Sequence, residues 1–238
     1  MIVRNLHLVR DRMTTACVAA GRNPAEVRLL AVSKKFGPEA VIAAIEGGQR
    51  AFGENYIVEG VEKIVALRAW LASRAEPLAS PLEWHCIGPV QSNKTRLVAE
   101  HFDWVQSVDR LKIAQRLSEQ RPVHLPPLQI CLQVNLDGGA NKSGVLPADL
   151  PELVRGFADL PRLRLRGLMT IPEPAADFES ACALHAQAKA LFDQLNGSGL
   201  LLSPLDMLSM GMTADLEAAI HSGSTMARVG TAIFGDRG

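Results

Sequence analysis

Short apolar runs and helical stretches alternate strictly along this chain of 238 residues. The apolar runs have the length and content of buried strands, and a helical pattern separates each run from the next. Neighbouring parallel strands need a crossover connection, which is usually a helix, so this alternation predicts a parallel sheet. Eight such units predict an α/β fold in which a single (β/α)8 barrel closes on itself, the TIM-barrel architecture.

Apolar periodicity, with glycine and proline signals at the ends, places the individual elements. Strands are expected at 28–34, 50–55, 84–88, 104–108, 128–136, 163–171, 207–210 and 226–231. Helices are expected at 2–20, 38–47, 57–72, 94–101, 110–119, 148–157, 178–195 and 214–221. The N-terminal helix would then cover the gap between the last strand and the first. An open doubly wound sheet is the alternative, but no GxGxxG motif follows any strand.

Length and composition limit the broad class. One domain over residues 1–238 is expected, because this length supports a single sizeable core. The chain has 25 basic and 25 acidic residues, a balance that does not favour nucleic acid or an anionic membrane as partner. The longest apolar runs are too short to span a bilayer. The four cysteines form no CxxC pair and no secretory signal is visible, so reduced thiols in a cytoplasmic protein are expected.

The first predicted strand runs from apolar residues into two lysines. Strand alternation places Lys34 on the face of Leu30 and Val32, and Lys35 on the other face. The C-terminal ends of the strands form the active face of such a barrel, and an amine with apolar walls there suits imine chemistry with an aldehyde. We therefore predict that Lys34 holds an aldehyde cofactor. The alternative is that both lysines form a solvated strand end.

The loops after strands 7 and 8 have the residues of a phosphate site. Ser209 and Thr231 offer hydroxyl donors, and Gly211 and Gly230 let backbone N–H groups approach an anion without a Cβ in the way. A helix that starts near Asp215 would point its positive end in the same direction. The alternative is two ordinary turns rich in small residues.

Other polar residues give weaker signals. His85 on predicted strand 3 is either an acid–base group or a core histidine with satisfied hydrogen bonds. Lys142 stands in a loop between Asn141 and Ser143, where a functional role is an alternative to a solvated one. The six histidines lack metal-binding spacing such as HExxH, and neither a GxSxG elbow nor a P-loop is present. No metal is expected.

Several stretches, in order along nearly the whole chain, carry a resemblance to a known family. They are Leu30–Lys34, Phe52–Tyr56, Trp84–Lys94, Asn141–Gly144, Leu165–Met169, Leu208–Met212 and Arg228–Gly235. On these motifs the chain resembles the YggS/PROSC family of pyridoxal 5′-phosphate (PLP) binding and homeostasis proteins. The resemblance implies a fold type III PLP barrel like the N-terminal domain of alanine racemase, with PLP as a Schiff base on Lys34. The family commonly continues its Ser-Lys with threonine and then proline, whereas Lys35-Phe36-Gly37-Pro38 follows here.

The resemblance also implies a set of cofactor-binding residues. The phosphate would lie over the loops after strands 7 and 8, and Asn55 and His85 would line the ring pocket. Arg228 would point into the barrel and face the pyridine nitrogen, which would keep that nitrogen unprotonated and weaken the ring as an electron sink. The complete expected set is Lys34, Asn55, His85, Ser209, Gly211, Arg228, Gly230 and Thr231.

The expected function is intracellular PLP homeostasis, in which a monomer binds PLP and hands it to PLP-dependent apo-enzymes without catalytic turnover. Alanine racemase, which shares the barrel, has a second domain and takes a tyrosine base from a partner chain. Here the chain ends at Gly238, just after the last strand, and Tyr56 is the only tyrosine, so His85 would have to act as another base. One alternative is a PLP-dependent amino-acid racemase with weak or narrow activity. Another is a barrel without cofactor that binds a phosphorylated metabolite.

Overall fold

The computed structural model describes residues 1–139 and 143–235. Its strands form one closed barrel in chain order, in which every neighbouring pair is parallel, including β1 with β8. This confirms the predicted (β/α)8 barrel. The strands are β1 Arg28–Val32, β2 Ala51–Glu54, β3 Glu83–Cys86, β4 Trp104–Val108, β5 Leu128–Val134, β6 Leu163–Thr170, β7 Met207–Ser209 and β8 Met226–Val229.

Helices surround the barrel and connect consecutive strands. They are α1 Ile2–Ala19, α2 Pro38–Glu46, α3 Ile57–Ala72, α4 Thr95–His101, α5 Leu111–Gln120, α6 Leu150–Arg155, α7 Phe178–Gly197, α8 Leu216–His221 and α9 Thr231–Phe234. Helix α1 packs against α8, α9 and α2, so it covers the seam where β8 meets β1. The predicted place of the N-terminal helix is confirmed.

Two apolar layers follow from the alternation of side chains along each strand. In β1, Leu30 and Val32 point into the barrel, where they join an inner cluster with Trp104 and Met169. Ala31 points outward into the larger layer between the barrel and its helices. A residue two positions beyond Val32 on the same face therefore lies at the mouth of the barrel.

The ends of two strands differ from the prediction. Strand β1 ends at Val32, because the chain turns there and the Phe36 N–H donates to the Ser33 carbonyl at 3.1 Å. Strand β8 ends at Val229, and an unpredicted short helix, α9, follows it. Helix α9 has only four residues and no side chain caps its N-terminus, so it lacks the usual start signal.

Across residues 1–139 and 143–235, every helix is too short or too polar to cross a membrane.

Gly167 occupies a tight position where the pairing of β5 with β6 shifts its register. Ile130 pairs with Leu165, but the next residue, Cys131, pairs with Gly167. A Cβ placed on Gly167 would lie 1.6 Å from the backbone oxygen of Met207. Because that atom belongs to the neighbouring strand, the clash cannot be relieved by a side-chain rotation.

We expect Gly167→Ala to lower the free energy of unfolding by at least about 1–3 kcal/mol, the usual cost of forcing extra atoms into a packed core. Denaturant unfolding measures this change. Gly197→Ala is the matched control, because a Cβ at Gly197 would meet no atom within 4 Å. Equal stabilities of the two variants would contradict the close strand packing at Gly167.

Candidate functional site

A cavity of about 330 Å³ opens at the C-terminal end of the barrel. Loops that follow β1, β2, β3, β6, β7 and β8 form its wall, as expected for the active face of this fold. Five of the eight residues predicted from the sequence line it, namely Lys34, Asn55, Arg228, Gly230 and Thr231. The other lining residues are Val32, Phe36, Ile87, Ile171, Met212, Thr213, Ala214 and Gly235.

Lys34 lies two residues past the end of β1 and is half-buried in the cavity wall. Val32 and Phe36 flank it with apolar surface, and Phe36 stacks on Phe234 with ring centroids 5.1 Å apart. Lys35 is exposed instead, with its Nζ 5.8 Å from the ring centroid of Tyr56. Of the two adjacent lysines, Lys34 therefore lines the cavity and Lys35 does not, as strand alternation predicts.

Arg228 places a cation at the floor of the cavity. Its guanidinium donates to Ser209 Oγ at 2.7 Å and to the Thr170 carbonyl at 2.8 Å. Burial lowers the pKa of Arg228 to about 10, which still leaves it charged at neutral pH. Among residues 1–139 and 143–235, no carboxylate lies within ion-pair distance of this guanidinium. A buried cation of this kind favours a ligand that offers acceptor atoms or negative charge.

Ser209 and Gly211 do not line the cavity, which differs from the prediction. The Ser209 hydroxyl is fully buried, accepts from Arg228 and donates to Gln106 Oε1 at 2.7 Å. Gly211 has φ 90, and a Cβ there would lie 2.4 Å from the Cβ of Ala219. Its carbonyl accepts the Arg228 N–H at 3.0 Å. Both residues therefore support Arg228 from behind rather than facing the cavity.

His85, which was predicted to line the ring pocket, lies inside the barrel below the cavity. Its side chain has no exposed surface and stacks on Trp104 at 5.2 Å. Its Nδ1 is 2.9 Å from Gln106 Nε2, and burial lowers the pKa of His85, so the neutral ring accepts a hydrogen bond there. Two residues further along the inward face, Ile87 reaches the cavity instead.

Gln106, which was not among the predicted site residues, links these buried groups. It lies on β4, where it donates to His85 and accepts from Ser209, so a continuous hydrogen-bonded chain joins Arg228, Ser209, Gln106 and His85. A polar residue two positions after Trp104 on the same inward face was the available signal. This chain fixes the orientation of the guanidinium, because Arg228 donates to Ser209, Ser209 donates to Gln106, and Gln106 donates to His85.

Asn55 brings a hydrogen-bond acceptor to the cavity. Its Oδ1 is buried and has no partner within the described part of the chain. Gly88 makes room for this segment, because a Cβ at Gly88 would lie 2.1 Å from the Asn55 carbonyl oxygen. An acceptor without a protein partner beside a cavity is available to a ligand.

A second cavity of about 260 Å³ adjoins the first and shares Asn55, Ile87 and Ile171 with it. Gln133 and Asn135 add polar groups to its wall. The predicted functional candidate Lys142 falls outside the described residues. Within residues 1–139 and 143–235, no group of three or more histidine, cysteine, aspartate or glutamate side chains is placed to hold a metal ion.

The comparison with known proteins decides the family. Residues 8–238 match the family described as alanine racemase, N-terminal domain. The chain belongs to this family. Two curated relatives are each named pyridoxal phosphate homeostasis protein. The one from Pseudomonas aeruginosa is 54% identical over 236 residues, which cover 99% of this chain and 96% of the relative. The one from Escherichia coli K12 is 49% identical over 236 residues, which cover 99% and 97%.

Solved structures of family members agree with this result. PipY from Synechococcus elongatus has been solved without PLP and with PLP bound, and the TM-score to this chain is 0.82 in both cases. The two PipY matches show 36% and 34% identity, and each covers 99% of this chain and all of PipY. Alanine racemase from Clostridium difficile shares the fold at a TM-score of 0.67 and 16% identity, with 98% of this chain on 57% of that one. The resemblance to the YggS/PROSC family that the motifs indicated is confirmed.

The polar groups inside the barrel extend to its opposite end, where Glu83 begins β3. Its Oε1 accepts from Arg28 at 2.6 Å, its Oε2 accepts from Trp104 Nε1 at 3.0 Å, and His85 Nε2 lies 3.6 Å away. His85 and then Arg28 lower the pKa of Glu83 to about 2, against the effect of burial.

We expect Glu83→Gln to change the pH dependence of stability. The folded-state pKa lies below the ordinary value of 4.5, so the Glu83 contribution is complete above about pH 4.5 and is lost as the pH falls towards 2. The difference in unfolding free energy between the original protein and the variant should therefore shrink over that window. Denaturant unfolding at a series of pH values measures it, and a constant difference from pH 6 to pH 3 would contradict the assignment.

Proposed function

We propose that the protein binds PLP in the cavity at the barrel mouth, holds it as a Schiff base on Lys34, and serves PLP homeostasis without catalytic turnover. The observation that carries this proposal is the pairing of a half-buried amine, Lys34, with a buried guanidinium, Arg228, in one cavity. The relatives named pyridoxal phosphate homeostasis protein and the PLP-bound structure of PipY support it.

The residues present fit the chemical groups of PLP. The cofactor offers an aldehyde, which a lysine amine binds covalently, together with a phosphate and a pyridine nitrogen. Lys34 provides the amine, and its apolar neighbours Val32 and Phe36 limit the access of water to it. The volume of about 330 Å³ lies in the range of small-molecule sites.

The loops after β7 and β8 would hold the phosphate. Gly230 and Thr231 line the cavity from β8, and Thr213 and Ala214 line it from β7. Backbone N–H groups at small residues and the hydroxyls of Thr213 and Thr231 are suitable donors for a phosphate. Ser209 and Gly211 would act indirectly, because they accept hydrogen bonds from Arg228 and so hold it in place.

Arg228 would orient the ring and restrain its chemistry. A guanidinium only donates hydrogen bonds, so an acceptor nitrogen that faces it stays unprotonated. The cofactor then withdraws electrons weakly, which disfavours the breaking of bonds at an amino-acid α-carbon. The chain through Ser209, Gln106 and His85 keeps the guanidinium in place.

The residues of the cavity wall also favour binding of PLP without catalytic turnover. Racemisation with two bases needs a proton acceptor on each side of the α-carbon. Among the described lining residues, Lys34 is the only one with a side chain that can take up a proton from carbon, because histidine, tyrosine and carboxylate side chains are absent from that wall. His85, the other candidate base, lies buried below the cavity floor.

We further propose that the protein acts in the cytoplasm as a monomer and has PLP-dependent apo-enzymes as partners. The open mouth, where Ile171 and Met212 are partly exposed, would let PLP-dependent apo-enzymes receive the cofactor. All four cysteines are free thiols, which supports a reducing, cytoplasmic setting. A closed barrel with helices over its outer face supports a monomer.

We expect the purified protein to show the visible absorbance band of a PLP Schiff base after incubation with PLP. Lys34→Ala should abolish the band, because it removes the amine in the cavity. Lys35→Ala is the matched control and should retain it, because Lys35 lies outside the cavity. Loss of the band only in the Lys35 variant would contradict the assignment, and a protein that stays colourless would favour the cofactor-free barrel that binds a phosphorylated metabolite.

We expect no deuterium uptake at the α-carbon when the PLP-loaded protein is incubated in D2O with a panel of amino acids. The reason is that Arg228 would keep the pyridine nitrogen unprotonated, so the cofactor would withdraw electrons weakly and disfavour removal of the α-proton. Proton NMR of the α-hydrogen signal measures the exchange against free PLP at the same concentration. Exchange of any amino acid well above the free-PLP rate would support the racemase instead.

A further inference from the structure

Side chains of α3 hold both peptide groups next to Lys34. The carbonyl of Ser33, in the peptide bond before Lys34, accepts from Lys63 Nζ at 2.8 Å. The N–H of Lys35, in the peptide bond after it, donates to Glu59 Oε1 at 2.5 Å. Glu59 and Lys63 lie one helical turn apart, with Lys63 Nζ 3.3 Å from the same Glu59 oxygen. A single ion pair on α3 therefore reaches both sides of the Lys34 Cα.

Lys63 is fixed in turn by β2. Its side chain is only 3% exposed, and its Nζ lies 2.6 Å from Oε1 of the fully buried Glu54. The Ser33 hydroxyl donates to the same Glu54 oxygen at 2.6 Å. The three donors of the ammonium thus go to Ser33, Glu54 and Glu59. Movement of Lys63 away from this place would leave a buried carboxylate without its partner, which is strongly unfavourable.

The backbone conformation at Lys35 shows why these hydrogen bonds are needed. Lys35 has φ 66, in the left-handed region that residues other than glycine seldom adopt. A backbone conformation of this kind persists only where its surroundings hold it. The turn leaves Lys34 in the cavity wall and Lys35 at the surface. The bond from the Lys35 N–H to Glu59 lies at the residue with the unfavourable conformation.

We propose that Glu59 and Lys63 are positioning residues for Lys34. By holding the peptide groups on both sides of Lys34, they keep its amine within reach of the cofactor aldehyde and so slow the exchange of the cofactor onto other amines. Neither residue is among those that line the cavity, so they act through Lys34 and not on the ligand. The inference rests on the proposed function, since only a cofactor attached to Lys34 can be exchanged in this way.

Glu59→Ala in the full chain, loaded with PLP, tests the proposal. Glu59 is half-buried at 34% exposure, and Lys63 keeps its bond to Glu54 in the variant, so no buried charge is left unpaired. Hydroxylamine is the probe, because it takes the cofactor from lysine and the decay of the visible band gives the rate. We expect the variant to keep the band and to exchange about threefold to tenfold faster, the range that one hydrogen bond represents.

Two further variants separate positioning from general disturbance. Glu59→Gln keeps an oxygen acceptor for the Lys35 N–H and should bring the rate back to within about twofold of the original. Glu62→Ala removes an exposed glutamate from the same helix and should leave the rate unchanged. An unchanged rate in Glu59→Ala would overturn the inference, and so would a Glu59→Gln variant as fast as the alanine variant. A band that survives Lys34→Ala would instead overturn the proposed function, so the two failures are distinguishable.

Discussion

The pairing of β1 with β8 is the constraint on which the site depends. It closes the barrel, and its register sets Leu30 opposite Arg228 and Ala31 opposite Val229. The ends of the two strands then lie side by side, so the loop with Lys34 meets the loop with Gly230 and Thr231 although about 200 residues separate them in the chain. Parallel pairing across such a separation is favourable only when the intervening helices are packed in place. The cavity is therefore a product of the whole fold.

Much of this arrangement is predictable from the sequence because the signals are periodic. The alternation of strands and helices indicated the barrel, and the period of two placed Lys34 inward and Lys35 outward. Periodicity gives the face of a residue but not its depth along the barrel axis, which depends on strand tilt and stagger. For this reason His85 and Ser209 were expected at the cavity and lie beneath it. The pattern marks Gln106 as a polar residue on the inward face, but the contacts of Gln106 and Lys63 join different strands and helices, and no local pattern identifies those partners.

Two polar networks support the two charged groups of the cavity in different ways. The chain of Ser209, Gln106 and His85 runs through the interior and fixes Arg228 from below. The second network lies outside the barrel wall, where Glu54 and Lys63 hold the turn that carries Lys34. Buried polar groups are costly unless their hydrogen bonds are complete. One buried atom in each network, His85 Nε2 and Glu54 Oε2, has no hydrogen-bond partner within the described chain. The remaining bonds hold Arg228 and the turn that carries Lys34, so the guanidinium and the amine lie in the wall of the same cavity.

The central claim is that Lys34 is the residue that carries the cofactor. Reduction of the PLP-loaded protein with borohydride would convert the linkage into a stable amine, and peptide mapping by mass spectrometry would then locate it. Because fragmentation separates adjacent residues, the measurement distinguishes Lys34 from Lys35 directly. We predict a pyridoxyl phosphate group on Lys34 alone. A label on Lys35 or on any other lysine, with Lys34 unmodified, would contradict the account.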